Sequence, residues 1–131
     1  MDAAQALSDL TEISSQIEAA LVLDADGSTM ASTLDGTRSQ ELARAAQELL
    51  AAVGRAAGDG ARELAQLEVA TTDGSVFVVR DGERTIAATT GPQPTVGLVF
   101  YDLKSCLRSV AAEKKPKPKR APRKGAGDAA A

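Results

Sequence analysis

Asp-Gly pairs set between apolar runs constrain this chain more than any other feature. The run Ala19-Ala-Leu-Val-Leu-Asp-Ala-Asp-Gly-Ser28 contains the first pair. Thr72-Asp-Gly-Ser75 holds the second, ahead of Val76-Phe-Val-Val79, and Asp81-Gly82 precedes Thr85-Ile-Ala-Ala88. Glycine takes positive φ without steric cost and aspartate tolerates it, so each pair predicts a β-hairpin. A long alanine-rich stretch with helical spacing separates the first hairpin from the later two. The predicted order is helix, hairpin, helix, meander, helix. That order says more about function than any catalytic motif, because none is convincing.

The 131 residues leave room for one domain and a tail. All 27 Leu, Ile, Val and Phe residues precede Ala111, which places the domain in residues 1–112 and the tail in 113–131. Phe77, Phe100 and Tyr101 are the only aromatics against 26 alanines, so the core is expected to be thin. A domain of this size hides only about two-thirds of its unfolded surface, and burial against a second copy would add to that. Charge divides at the same boundary, net −8 over residues 1–112 and +5 over 113–131. The body repels nucleic acid and bare anionic membrane, whereas the tail attracts both.

Histidine is absent and Cys106 is the single cysteine. This excludes a disulfide framework, a Cys/His zinc site and Ser-His-Asp or Cys-His catalysis. Met1-Asp-Ala-Ala-Gln5 lacks the basic and apolar regions of a secretory signal. No apolar run nears the roughly 18–20 residues that span a bilayer. The expectation is a soluble, cytoplasmic protein.

Along the chain, Asp2 with Gln5 predicts a capping box, and Leu7, Leu10 and Ile13 continue a short helix over about 3–14. Ile17 to Asp24 is apolar on both faces, as in a strand covered on each side, and Ser28 to Leu34 is its partner. Thr37 with Gln40 predicts a second capping box. Leu42, Ala46, Leu49, Val53 and Ala57 then share one helix face, flanked by Ala43, Ala45, Ala51, Ala52 and Ala56. Small flanks let another helix approach closely, although alanine is also simply the best helix former. Gly58-Asp-Gly60 ends the helix. Residues 64–72 alternate as a strand with one polar face, and 76–80 and 85–90 complete the meander. The last element stays open on pattern alone. Val96, Val99, Phe100, Leu103, Leu107 and Val110 form a helical stripe after Pro94, yet Val96 to Tyr101 has strand propensity and Asp102 can cap a shorter helix. Lys114 to Lys124 has seven positive charges, three prolines and no apolar period, which predicts a disordered tail.

Candidate chemistry is sparse. Asp24, Asp26, Ser28, Ser32 and Asp35 fit five positions of a calcium loop, but the template needs glycine sixth, where Thr29 stands. The segment therefore reads as a hairpin. Gly54, Gly58 and Gly60 follow a helix instead of opening one, so they cannot aim backbone N–H groups at a phosphate. No cofactor, metal or small-molecule substrate is implied. Cys106 sits on the apolar face of the final helix and reads as a buried small hydrophobe.

Together these residues resemble the Roadblock family, which includes dynein light-chain subunits and bacterial GTPase-activating proteins. The likeness rests on the first hairpin, Glu41-Leu-Ala-Arg-Ala-Ala46, Leu67-Glu-Val-Ala70, Val76-Phe-Val-Val79 and Gly97-Leu-Val-Phe-Tyr-Asp-Leu103, and covers about residues 3–111. Each segment is weak alone; their order and spacing carry the specificity. The resemblance implies an α+β fold, α-β-β-α-β-β-β-α, with a five-stranded antiparallel sheet and helices on both faces, as in profilin-like domains. It also favours a final helix from near Thr95. Family members pair through the middle strand and long helix. Carried over, that implies a homodimer through residues 64–71 and 39–57, with Leu64, Leu67, Val69, Thr71, Ala45 and Ala52 at the interface.

Bacterial members bind Ras-like GTPases, some as activators and others as scaffolds. The resemblance thus implies a non-catalytic regulator of a small GTPase, or alternatively a scaffold localised by its basic tail. Arg38, Arg44, Glu48 and Arg55 on the long helix are the candidate contacts. A trans arginine can stabilise transition-state charge by about a thousandfold or more. The competing reading pairs these arginines with Glu41 and Glu48 on a solvated face. In the tail, Lys114, Lys115, Lys117, Lys119, Arg120, Arg123 and Lys124 form an electrostatic tether to an acidic partner, membrane or nucleic acid. It has no aromatic platform for stacking bases.

Overall fold

Eight elements follow the expected order in the computed structural model, which describes residues 1–58, 60 and 63–114. They are α1 (Ala3–Ile13), β1 (Ile17–Leu23), β2 (Thr29–Ser32), α2 (Gly36–Ala57), β3 (Leu64–Ala70), β4 (Ser75–Asp81), β5 (Arg84–Thr90) and α3 (Val96–Lys114). The five strands form one antiparallel sheet in the spatial order β2-β1-β5-β4-β3. The fold is α+β, with α1 and α3 on one face of the sheet and α2 on the other.

Tight turns account for three of the four strand pairings, β1–β2, β3–β4 and β4–β5. The Asp24 carboxylate accepts from the backbone N–H of Asp26 at 2.9 Å and of Ser28 at 3.0 Å, while Gly27 takes φ +85°. The carboxylate at the head of the calcium-like pattern is thus spent on closing a hairpin. At the β3–β4 turn the Thr71 hydroxyl accepts from Gly74 N–H at 3.2 Å, and Gly74 lies so close to the Thr90 carbonyl that a Cβ there would collide with it. The β4–β5 register pairs Asp81 with Arg84, so Gly82 (φ +68°) and Glu83 make a two-residue loop. Asp81 itself ends β4.

Helix ends show two departures from expectation. At α1, Asp2 caps Gln5 N–H at 2.8 Å as predicted, but the Gln5 side chain turns to Asp9 at 2.9 Å and leaves the box half made. At α2 the capping residue is Asp35, not Thr37. Asp35 is extended (φ −106°, ψ 163°) and its carbonyl accepts Ser39 N–H at 3.2 Å, which already places Thr37 inside the first turn. The Ser39 hydroxyl meets that of Ser32 at 2.9 Å, tying the start of α2 to the end of β2.

The final element is a helix, and Asp102 lies well inside it. Its stripe Val99, Leu103, Cys106, Leu107 and Val110 is buried against Phe77, Val79, Ile86 and Ala88 of the sheet and Leu7 and Leu10 of α1. Phe77 meets Phe100 edge-on, with ring centroids 5.1 Å apart. The helix runs to Lys114, past the boundary expected after residue 112. The remaining tail residues, 115–131, are outside the described residues.

Candidate interaction surface

Direct pairing across antiparallel strands puts opposed residues on one face. The register Ala65↔Arg80, Leu67↔Val78 and Val69↔Val76 therefore places Ala65, Leu67 and Val69 on the α2 side. Their alternates, Leu64, Gln66, Glu68 and Ala70, point to the α1–α3 side. Strand β3 pairs only with β4, so its outer row of backbone N–H and C=O groups is unpaired within the described residues. Such an edge is a template for another strand.

One helix cannot cover this face. Five strands at about 4.8 Å spacing span about 19 Å, whereas a helix with its side chains is roughly 10–12 Å across. Helix α2 lies over β1 and β5, burying Leu42, Ala43, Ala46 and Leu50 against Leu21, Leu23, Val78 and Ala87. The buried stripe is thus rotated from the one expected: Leu49 and Val53 are only half-buried and Ala57 is exposed. Gln47 reaches back to the Gly27 carbonyl at 3.3 Å, which turns that flank of α2 toward the β1–β2 hairpin. At 100° per residue, Ala45, Leu49 and Ala52 fall on the opposite flank, facing the β3 side. Leu49, Leu67 and Val76 border the core there without being sealed, and Val69 is 43% exposed. An apolar seam with an open strand edge results.

Of the sequence-derived interface residues, Leu67 packs against the α2-side core, Val69 is exposed on the same face of β3, and Ala45 and Ala52 lie on the flank of α2 that the helical period turns that way. Leu64 (56% exposed) shares the free edge but faces the other side, and Thr71 lies just beyond β3, its hydroxyl donating to the Gly74 carbonyl at 2.9 Å. Leu49, Val53 and Val76 belong to the seam too. Helical spacing alone assigns the first two to the core, because period cannot say how wide a sheet the helix must cover.

Arg44, Glu48 and Arg55 are exposed along the outward stripe of α2, while Arg38 sits near its start on the seam side. No ion pair joins these arginines to Glu41 or Glu48 among the described residues. Lys114 closes α3; Lys115, Lys117, Lys119, Arg120, Arg123 and Lys124 lie outside the described residues.

No group of three or more Cys, Asp or Glu side chains is placed to hold a metal among the described residues. Burial, helped by the nearby Asp9 carboxylate, pushes the Cys106 thiol up to about 11, which keeps it neutral and a poor nucleophile. No described helix is long and apolar enough to cross a membrane. A second surface escapes the sequence patterns: a groove between α1 and α3, where Ile13 is 75% and Tyr101 65% exposed. Tyr101 falls outside the α3 stripe that periodicity selects, so only the placement of α1 reveals it.

Comparison with known proteins agrees with the architecture. The family model described as Roadblock/LC7 domain matches residues 3–90, from the start of α1 to the end of β5. A crystal structure of a Roadblock/LC7 domain from Streptomyces avermitilis superposes with a TM-score of 0.73 at 19% identity, covering 86% of this chain and 98% of that one. A second Roadblock/LC7 domain structure from the same organism gives 0.65 at 18% identity, with 80% and 94% covered. MglB of Myxococcus xanthus gives 0.65 at 14% identity, with 90% and 88% covered. At these identities the structures speak to the fold alone. No curated protein matches the chain.

Proposed function

This chain belongs to the Roadblock/LC7 family, and from that premise we propose that it is a non-catalytic homodimer that binds a small Ras-like GTPase and modulates its GTPase cycle. One observation carries the reading: the open edge of β3 runs beside the unsealed seam of Leu49, Leu67, Val69 and Val76. A second copy related by a twofold axis supplies both things the edge lacks. Its β3 completes the hydrogen-bond ladder, and its own seam covers the exposed apolar side chains. Ala45 and Ala52 on the α2 flank have no bulk to hold two such helices apart.

Two copies of α2 side by side would present the Arg44, Glu48 and Arg55 stripes on one continuous protein-reading surface. Regulation there requires no chemistry from this chain. A dimer that binds the hydrolysis-competent conformation of a GTPase more tightly than the idle one shifts its population toward turnover. The decisive experiment mixes the purified protein with the Ras-like GTPase encoded nearest to it and follows GTP hydrolysis and nucleotide exchange. Binding with a changed rate is expected. Absence of binding and of any rate change would refute the regulatory reading. Capture of the GTPase with unaltered turnover would instead favour a scaffold.

A further inference from the structure

The face of the sheet opposite the seam carries a second surface, and its chemistry matches a segment of the same chain. Helices α1 and α3 run antiparallel: Met1 N donates to the Ser109 carbonyl at 3.4 Å at one end, and Thr95 N–H donates to the Gln16 side chain at the other. Between them lies a groove of about 270 Å³. Its apolar lining includes Leu10, Ile13 and the exposed ring of Tyr101, and its carboxylates are Asp9 and Asp102; among the described residues no Lys or Arg side chain lines it, and the Met1 ammonium lies at its Ser109 end. An aromatic, apolar trough with acidic groups is suited to an extended cationic peptide carrying proline, in which the pyrrolidine rings pack on the aromatic and the basic side chains meet the carboxylates.

The chain leaves the described structure beside this groove. Ser109 lines it, and Lys114 ends α3 five residues later. The next ten residues are Lys115-Pro-Lys-Pro-Lys-Arg-Ala-Pro-Arg-Lys124, with six positive charges and prolines at 116, 118 and 122. Running back from Lys114 to Tyr101 covers about 20 Å along the helix. Ten residues in polyproline II geometry span about 31 Å, which leaves length for the reversal. The domain it would meet has the opposite charge, −8 over residues 1–112.

We propose that residues 115–124 dock in the α1–α3 groove, with proline against Tyr101 and basic side chains on Asp9 and Asp102. Docking there makes the segment a salt-sensitive strap over one face of the domain. The contact stands on the opposite side of the sheet from the β3 seam, so it survives or fails independently of the dimer and of any GTPase.

The protein carries its own reporters, because Tyr101 is the only tyrosine, tryptophan is absent and Cys106 is the only cysteine. Quenching of Tyr101 fluorescence by acrylamide is compared between the full chain and a full-length variant with Lys115, Lys117, Lys119, Arg120, Arg123 and Lys124 all changed to Gln. At low salt the unmodified chain should quench at least about twofold less, since a ring covered by proline is withdrawn from solvent. The difference should vanish near 1 M salt, where the screening length falls to about 3 Å. Asp102→Asn should weaken the protection; Asp9 is the poorer choice because its charge also affects the Cys106 thiol. Alkylation of Cys106 by N-ethylmaleimide should follow the same order. Equal quenching and equal alkylation of the two full-length chains at low salt, with melting temperatures unchanged, would overturn the proposal.

Discussion

The two faces of the sheet are built from alternate residues of the same strands, yet along β4 one face is sealed and the other is only partly covered. On the α1–α3 face, Phe77, Val79, Ile86 and Ala88 are all fully buried. Next to them in sequence, Val76 on the α2 face is half-buried, and Val69 opposite it is exposed. The composition of the strands does not cause this, since both faces are rich in Val, Leu and Ala. Two helices cover β2, β1, β5 and β4 on one face, a single helix covers the middle of the other, and β3 is left largely exposed on both. How much of each face is sealed depends here on the number of helices available to cover about 19 Å of sheet.

Substitutions on the two faces should therefore have different signatures. Phe77→Ala, in the closed face, should cost about 3–5 kcal/mol and lower the urea midpoint at every protein concentration. Val69→Asp, in the open face, should instead weaken self-association by roughly 100-fold or more through a charge placed in an apolar contact, with the far-UV spectrum of the protomer retained. Sedimentation at several concentrations distinguishes the two. A folded lone protomer of the unmodified protein at high concentration would remove the basis for treating the seam as an interface.

Gly74→Ala probes the β3–β4 turn that aligns both faces. Its Cβ would meet the backbone of Thr90, which cannot move aside like a side-chain tip, and about 1–3 kcal/mol should be lost. Asp2→Ala removes the α1 cap and should cost about 1 kcal/mol, read as a small shift in thermal melting. The smallest effect belongs to Arg44→Ala with Arg55→Ala on the outward stripe. Stability should change by less than about 0.5 kcal/mol, so any loss of GTPase binding reports recognition and not folding. Raising the pH adds a check on the closed face. The folded Cys106 thiol holds its proton more tightly than an unfolded thiol, so its contribution to stability is complete below the ordinary thiol range and declines as pH climbs toward about 11.

Much of the architecture is legible in local chemistry. Asp-Gly turns locate three hairpins, two-sided apolarity in Ile17–Leu23 marks a central strand, and Gly58 stops the long helix. Other details are not. Thr37 has the chemistry of a good cap, but Asp35 reaches the right backbone geometry first. Leu49 and Val53 share a helix face with Leu42 and Ala46, which gives them the pattern of core residues. Their partial exposure comes from where α2 crosses the sheet, a long-range fact. The final segment is ambiguous locally because Val, Phe and Tyr favour strands, while the stripe through Val110 favours a helix. Burial of that stripe on Phe77 and Ile86 decides between them.

By itself, then, the chain prescribed which segments form strands and helices and in what order, because turn chemistry and apolar period act over a few residues. It also prescribed the sharp division between an acidic body and a basic end. Which strand lies at the edge, which side of α2 remains uncovered, and how α1 and α3 leave a groove beside Tyr101 were decided only in three dimensions. Those features depend on how many elements compete to cover each face, a quantity that no window along the sequence contains.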